Sequence, residues 1–107
     1  MIKISILYPN NVGSRFDMAY YVKTHMPLSI RLLRSHPGFK GVSVERGLAG
    51  ATPGSRPAYV AMCHFIFESA EAFISAFTPH APVLQGDMAN YTDLTPIIQF
   101  NEVLISQ

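Results

Sequence analysis

Between Ile2 and Tyr8 the chain alternates, with Ile2, Ile4, Ile6 and Tyr8 on one side and Lys3, Ser5 and Leu7 on the other. That period, in β-branched residues, predicts a strand over 2–8. Pro9, Asn10, Asn11 and Gly13 supply turn chemistry after it. Asp17 is placed as an N-cap, and a helical pattern runs from it to about His36, where His36-Pro37-Gly38 reads as a stop signal. A second strand is predicted over 41–48, with Val42 and Val44 on one face, then a Gly/Pro/Ser-rich loop over 50–57. The third strand, 59–67, has the clearest pattern. Ser69 caps a helix predicted through Phe77, a short helical piece follows over 81–88 beyond Pro79, and a last strand covers 96–105.

The order βαββαβ predicts the α+β, ferredoxin-like arrangement, a four-stranded antiparallel sheet with both helices on one face. The third strand is apolar on both sides: Tyr59, Ala61, Cys63, Phe65 and Phe67 alternate with Val60, Met62, His64 and Ile66. Burial on both faces calls for a second sheet against the helix-free side. A second copy of the chain can supply it, so a homodimer is expected.

Composition narrows the function. The 107 residues fit a single domain, 49% are hydrophobic and 14% charged, which excludes intrinsic disorder. A formal net charge of +1 argues against a nucleic-acid partner. No uninterrupted apolar run is long enough to span a membrane, and no segment reads as a signal peptide, so a cytoplasmic location is expected. The single cysteine, Cys63, excludes an intramolecular disulfide and is read as a small core residue.

Among the titratable residues, His25 stands out. Asp17, Tyr21 and His25 are four apart and form one helical row, and Met18, Val22, Leu28 and Leu32 place His25 on or beside the buried face. Pro27 cannot donate to the Lys23 carbonyl, so the helix is expected to kink or restart there and open a pocket. The alternative is a core histidine satisfied by a carbonyl or by the Tyr21 hydroxyl. His80 follows Phe73, Ala76 and Phe77 at helical spacing and either points toward the same space or caps the helix. His64 is expected to face the partner sheet and His36 to be solvated. The histidines form no close pair and carboxylates do not cluster around them, so no metal is expected. No cofactor motif is present. The glycine-rich stretch 47–54 is read as a flexible loop at a pocket rim.

Ile6-Leu7-Tyr8-Pro9, Phe16-Asp17 with Tyr20-Tyr21, Thr24-His25-Met26-Pro27, Arg46-Gly47-Leu48-Ala49-Gly50, Pro79-His80-Ala81 and Asn90-Tyr91-Thr92-Asp93 together resemble the EthD family. The family takes its name from ethyl tert-butyl ether degradation, where such a protein accompanies a haem monooxygenase system. The resemblance implies a dimeric α+β barrel, in which two ferredoxin-like sheets close face to face. It places His25 near the cleft between helices and sheet, His80 as a second catalytic candidate, and Tyr8 and Tyr21 as polar pocket groups.

Two functions are consistent with these features. The first is a cofactor-independent enzyme of ether or aromatic catabolism acting on a small hydrophobic oxygenated metabolite. Phe65, Phe67, Phe73 and Phe77 would line its pocket, and His25 would move a proton in an isomerisation, dehydration or hydrolysis. The second is a non-catalytic accessory or carrier protein of an oxygenase system.

Overall fold

The computed structural model describes all 107 residues. Four strands, β1 (Ile2–Pro9), β2 (Phe39–Arg46), β3 (Tyr59–Phe67) and β4 (Ile97–Glu102), form one antiparallel sheet in the order β2-β3-β1-β4. β1 and β3 are its two inner strands, paired from Ile2 opposite Phe67 to Tyr8 opposite Ala61. The helices pack on one face, in the ferredoxin-like α+β arrangement expected from the element order.

Period-two alternation in the inner strands sets the core. On the helix side Ile4 and Tyr8 of β1 and Ala61, Cys63, Phe65 and Phe67 of β3 are buried. Helix α3 (Ala70–Phe77) covers them with Phe73 and Ala76, and the Phe73 ring lies edge-on to Phe67 at 5.3 Å. Ser69 caps α3 by accepting a hydrogen bond from the Ala72 N–H. No helix is long and apolar enough to cross a membrane.

The first helical segment departs from the expected continuous helix. It comprises one turn, α1 (Met18–Tyr20), a π-helical segment (Tyr21–His25), and α2 (Met26–Leu33), ending three residues short of His36. The Met26 N–H donates to the Tyr21 carbonyl, five residues back. Pro27 has no N–H for an α-type bond to Lys23, and the widened turn brings it into the first turn of α2, where that lack costs nothing. The buried face consequently reads Tyr21, His25, Met26, Ser29 and Leu33, and Val22 is 44% exposed. Asp17 is not part of that face: its carboxylate accepts from the Tyr20 N–H as the N-cap.

Other boundaries move as well. β2 begins and ends two residues earlier than expected, because Phe39 pairs with Phe67 and the chain leaves the sheet before Leu48, which is exposed. β4 stops at Glu102, leaving Leu104 and Ile105 exposed. His36 is half-buried rather than freely solvated, since its Nδ1 accepts the Gly38 N–H at 2.9 Å.

The β2–β3 connection depends on Gly47. Its N–H donates to the Val60 carbonyl, and a Cβ there would lie 2.0 Å from the Tyr59 carbonyl oxygen and 2.8 Å from Pro57 Cβ. The Tyr59 oxygen belongs to the backbone of the hairpin and cannot swing away. Gly47→Ala is expected to destabilise the fold by about 1–3 kcal/mol, the usual cost of overpacking. A urea denaturation midpoint equal to that of the wild type would show that the hairpin can relax around the added methyl.

Candidate functional site

A cavity of about 420 Å³ lies between the helices and the sheet. Ile6, Tyr8, Cys63 and Phe65 form its floor, and Tyr21, His25, Met26 and Leu33 form its roof. Phe73, Phe77 and Leu84 close the apolar end. The exposed lining residues Gln85, Thr95 and Ile98 mark the mouth, between α4 (Ala81–Asp87) and β4. No Lys, Arg, Asp or Glu lines it.

Three of its polar lining residues, His25, Tyr91 and Tyr8, are joined in one hydrogen-bonded series that ends on Asp87 behind the wall. Asp87, the last residue of α4, accepts from the Tyr20 hydroxyl at 2.6 Å and the Asn90 amide at 2.9 Å on Oδ1, and its Oδ2 lies 2.9 Å from His25 Nδ1. His25 Nε2 is 3.3 Å from the Tyr91 hydroxyl, which is 2.7 Å from that of Tyr8. Partial burial pushes the Asp87 carboxyl upward, but the donors Tyr20, Asn90 and His25 outweigh it and hold the group below the usual carboxylate range. An ionised carboxylate only accepts, so His25 Nδ1 carries the hydrogen and Nε2 of the neutral ring carries the lone pair. Burial raises the hydroxyls the other way. Tyr8 is pushed up to about 12, with the bond to Tyr91 partly opposing, and Tyr21 and Tyr91 are pushed well above the ordinary phenol value.

Backbone contacts from the segment between α4 and β4 hold Tyr91 in this series. A 3₁₀ turn (Met88–Asn90) leads out of α4, the Asp17 N–H donates to the Tyr91 carbonyl at 2.7 Å, and Thr92 forms a β-bridge to Phe16. The buried Thr92 hydroxyl donates to the Arg15 carbonyl and accepts the Leu94 N–H. The Tyr91 ring is then fully buried 4.5 Å from His25, and the Tyr21 ring lies nearly parallel to the imidazole at 6.0 Å and 14° and 5.2 Å from Tyr91, so the three rings form one cluster. The Tyr21 hydroxyl itself has no hydrogen-bond partner, so it does not orient His25.

Of the candidate residues, His25, Tyr8, Tyr21, Phe65, Phe73 and Phe77 line the cavity. His80 and Phe67 do not. His80 ends a 3₁₀ turn (Thr78–His80), whose tighter winding breaks the α-helical spacing from Phe73 and Phe77, and it stays half-buried outside the cavity. Phe67 closes the far end of β3 against Phe39 and Phe73. The 47–54 loop contributes nothing to the rim. The expectation that carboxylates stay away from the histidines fails at Asp87, which is 62 residues from His25 in sequence. Asp87 and Tyr91 carried one readable signal: with Asn90 they are spaced three and four apart at a helix end, and so share a face.

Cys63 is a core residue, its thiol pushed up to about 12 by burial and by the Glu45 charge. His64 lies on the helix-free face, as its strand position predicts. Its Nδ1 is hydrogen-bonded to the Ser5 hydroxyl at 2.8 Å, and its Nε2 lies 3.5 Å from Glu45, both within its own sheet. No group of His, Cys, Asp and Glu side chains is placed to hold a metal ion.

Because the native Asp87 pKa is depressed, its stabilising effect is complete above the unfolded carboxylate value and disappears as pH falls through the lower native value. The stability gap between wild type and Asp87→Asn is therefore expected to be widest near neutrality and to close on acidification through the carboxylate range. Urea midpoints of both proteins along a pH series check this, and a gap that stays constant into strong acid would contradict it.

Several known proteins share this fold. An EthD-like protein from Ralstonia eutropha JMP134 is 45% identical, with a TM-score of 0.92, covering 99% of this chain and 94% of that one. An EthD family protein from Bacillus halodurans C-125 is 23% identical with a TM-score of 0.70, covering 97% and 99%. SnoaB, a cofactor-independent oxygenase from Streptomyces nogalater, is 13% identical with a TM-score of 0.57 over 98% and 93%, and so shares the fold alone. No curated protein matches the chain. The EthD domain profile matches residues 12–95, a span that contains His25, Asp87 and Tyr91, and the chain belongs to the EthD family.

Proposed function

We propose that this protein binds and converts a small, neutral-to-weakly-polar, hydrophobic organic molecule carrying oxygen, by proton transfer without a cofactor, with His25 as the acid or base. The observation that carries this reading is the His25–Asp87 pair at the polar end of an otherwise apolar cavity. A histidine whose Nδ1–H is held by a carboxylate keeps its other nitrogen available to take or return a proton. The cavity volume of about 420 Å³ falls within the range of roughly 300–1,000 Å³ usual for small-molecule sites. Family membership supports a role in ether or aromatic catabolism beside an oxygenase, and a cytoplasmic setting. The fold is also that of a protein named as a cofactor-independent oxygenase, which supports chemistry without a bound cofactor.

The same reading includes a homodimer of single-domain chains, closed through the helix-free faces. Leu7, Val60, Met62, Ile66 and Ile97 make that face apolar around the Ser5–His64 pair. Light scattering at micromolar concentration is expected to give twice the chain mass. Met62→Asp, which sets a charge in the middle of the buried face, is expected to shift it toward the single chain. A monodisperse wild-type monomer would refute the dimer.

Thermal-shift screening against aromatic and ether metabolites identifies ligands, because binding to the folded state raises apparent stability. With the ligand so found, His25→Gln is expected to lower kcat by at least about tenfold, since a positioned proton-transfer group contributes about 10²–10⁴-fold. The melting temperature should stay within a few degrees of the wild type. Equal turnover, or tight binding with no turnover by either protein, would favour the accessory carrier instead.

A further inference from the structure

His25 does not offer a bare nitrogen to the cavity. Its Nε2 is covered by the Tyr91 hydroxyl at 3.3 Å, and that hydroxyl is 2.7 Å from the hydroxyl of Tyr8, whose ring lies on the cavity wall. With Nδ1–H committed to Asp87, the two tyrosine hydroxyls have two arrangements. In one, Tyr8 donates to Tyr91 and Tyr91 donates to Nε2, so the Tyr8 oxygen keeps a lone pair for an incoming donor. In the other, Tyr91 donates to Tyr8, the Tyr8 hydrogen is free, and Nε2 has no donor. Taking up one proton at the Tyr8 oxygen and passing one on to Nε2 leaves the two hydroxyls pointing as in the second arrangement, with Nε2 now protonated and donating to Tyr91.

Resting on the proton-transfer reading above, we propose that Tyr8 and Tyr91 relay a proton to His25, and that the ligand they serve enters neutral and bears an acidic hydroxyl, as a phenol or an enol does. The ligand O–H bond breaks and its proton joins the Tyr8 oxygen. The proton of Tyr8 passes to the Tyr91 oxygen, and that of Tyr91 to His25 Nε2. Each electron pair stays on the oxygen that lost its proton. The sum is a phenolate or enolate ligand and an imidazolium ion paired with Asp87, with no oxidant or reductant needed. For an enolate, return of the proton to carbon completes a tautomerisation.

Three features set the ligand's chemistry. No lysine or arginine lines the cavity to offset the desolvation of a carboxylate or phosphate, and the Asp87 charge behind His25 opposes an incoming anion. Burial keeps both tyrosines protonated, so each has a hydrogen to pass on. Phe73, Phe77 and Leu84 provide an apolar end for a ring or a short chain.

The test uses the full chain with three probes of similar shape: 4-nitrophenol, its methyl ether 4-nitroanisole, and 4-nitrobenzoate. Calorimetry and visible absorbance are recorded below the pKa of 4-nitrophenol itself. Wild type is expected to bind 4-nitrophenol at least about tenfold more tightly than the ether, the worth of one good buried hydrogen bond. It should bind the benzoate most weakly, and the bound phenol should show the nitrophenolate band. Tyr8→Phe should bind the ether as before and lose the preference for the phenol. Tyr91→Phe should keep phenol binding through Tyr8 and lose the nitrophenolate band. An undiminished preference in Tyr8→Phe, or an unchanged band in Tyr91→Phe, overturns the relay and leaves the ligand site standing. Failure of wild type to bind any of the three counts against the cavity as a ligand site and so against both readings. Should either variant melt early, ¹⁵N shifts of His25 in the wild type decide: protonation of Nε2 on adding 4-nitrophenol supports the relay, and no change overturns it.

Discussion

Pro27 lacks the N–H that an α-helix would use at its position, and much of the site follows from how the chain accommodates that. A kink would have split the helix. Instead the preceding turn widens to a π segment, with the Met26 N–H reaching back to Tyr21. The wider turn rotates the inward face onto Tyr21, His25 and Met26 and turns Val22 outward. Tyr21 and His25 therefore come to lie with nearly parallel rings over β1 and β3. Asp17 stays at the surface for a separate reason: it is the N-cap, in extended conformation, with its carboxylate on the Tyr20 N–H.

A buried imidazole and three buried phenols between a sheet and its helices need partners, and all but one of these groups have them. Asp87 satisfies one nitrogen of His25 and Tyr91 the other, and Tyr91 and Tyr8 satisfy each other. The cross-chain ties that place Tyr91, from Asp17, Phe16 and Arg15, are made by the same short stretch that begins the first helix. The start of that helix and the exit of α4 are thus fixed against each other, and the His25–Tyr91 distance is set by backbone hydrogen bonds rather than by side-chain fit. The exception is the Tyr21 hydroxyl, buried without a partner, a state that costs stability and that the packing of its ring must offset.

How far this could be seen in the sequence differs between strands and site. The period of two in β1 and β3 has one reading, because a shift by one residue would expose Ile4, Cys63 and Phe65 together. Sheet, faces and helix side were therefore legible, as was the inward position of His25. The π segment was not, because helical spacing rules assume 3.6 residues per turn. Asp87 and Tyr91 were obscured differently. They lie past a segment broken by Pro79, Pro82 and Gly86, where periodicity is weak, and their partners are 62 and 66 residues away. A pairing across that distance is set by how α4 packs, which no local pattern encodes. His80 misled for the reverse reason: its spacing from Phe73 and Phe77 is helical on paper, but the chain tightens to 3₁₀ between them.

The four histidines show why residue type and burial alone do not single out the chemically useful one. His36 accepts a backbone N–H with Nδ1 and serves the turn after α2. His64 is held at Nδ1 by the Ser5 hydroxyl, which also accepts from Asn101, and its Nε2 lies 3.5 Å from Glu45 across on β2. It sits on the helix-free face, and it does not line the cavity. His80 lines no cavity and has no side-chain partner that orients it. His25 alone combines an anion that fixes its tautomer with a second nitrogen directed at movable hydroxyl protons beside an apolar cavity. That difference comes from what each ring nitrogen faces, and it ties the chemistry of the site to the Asp87 carboxylate as closely as to the imidazole.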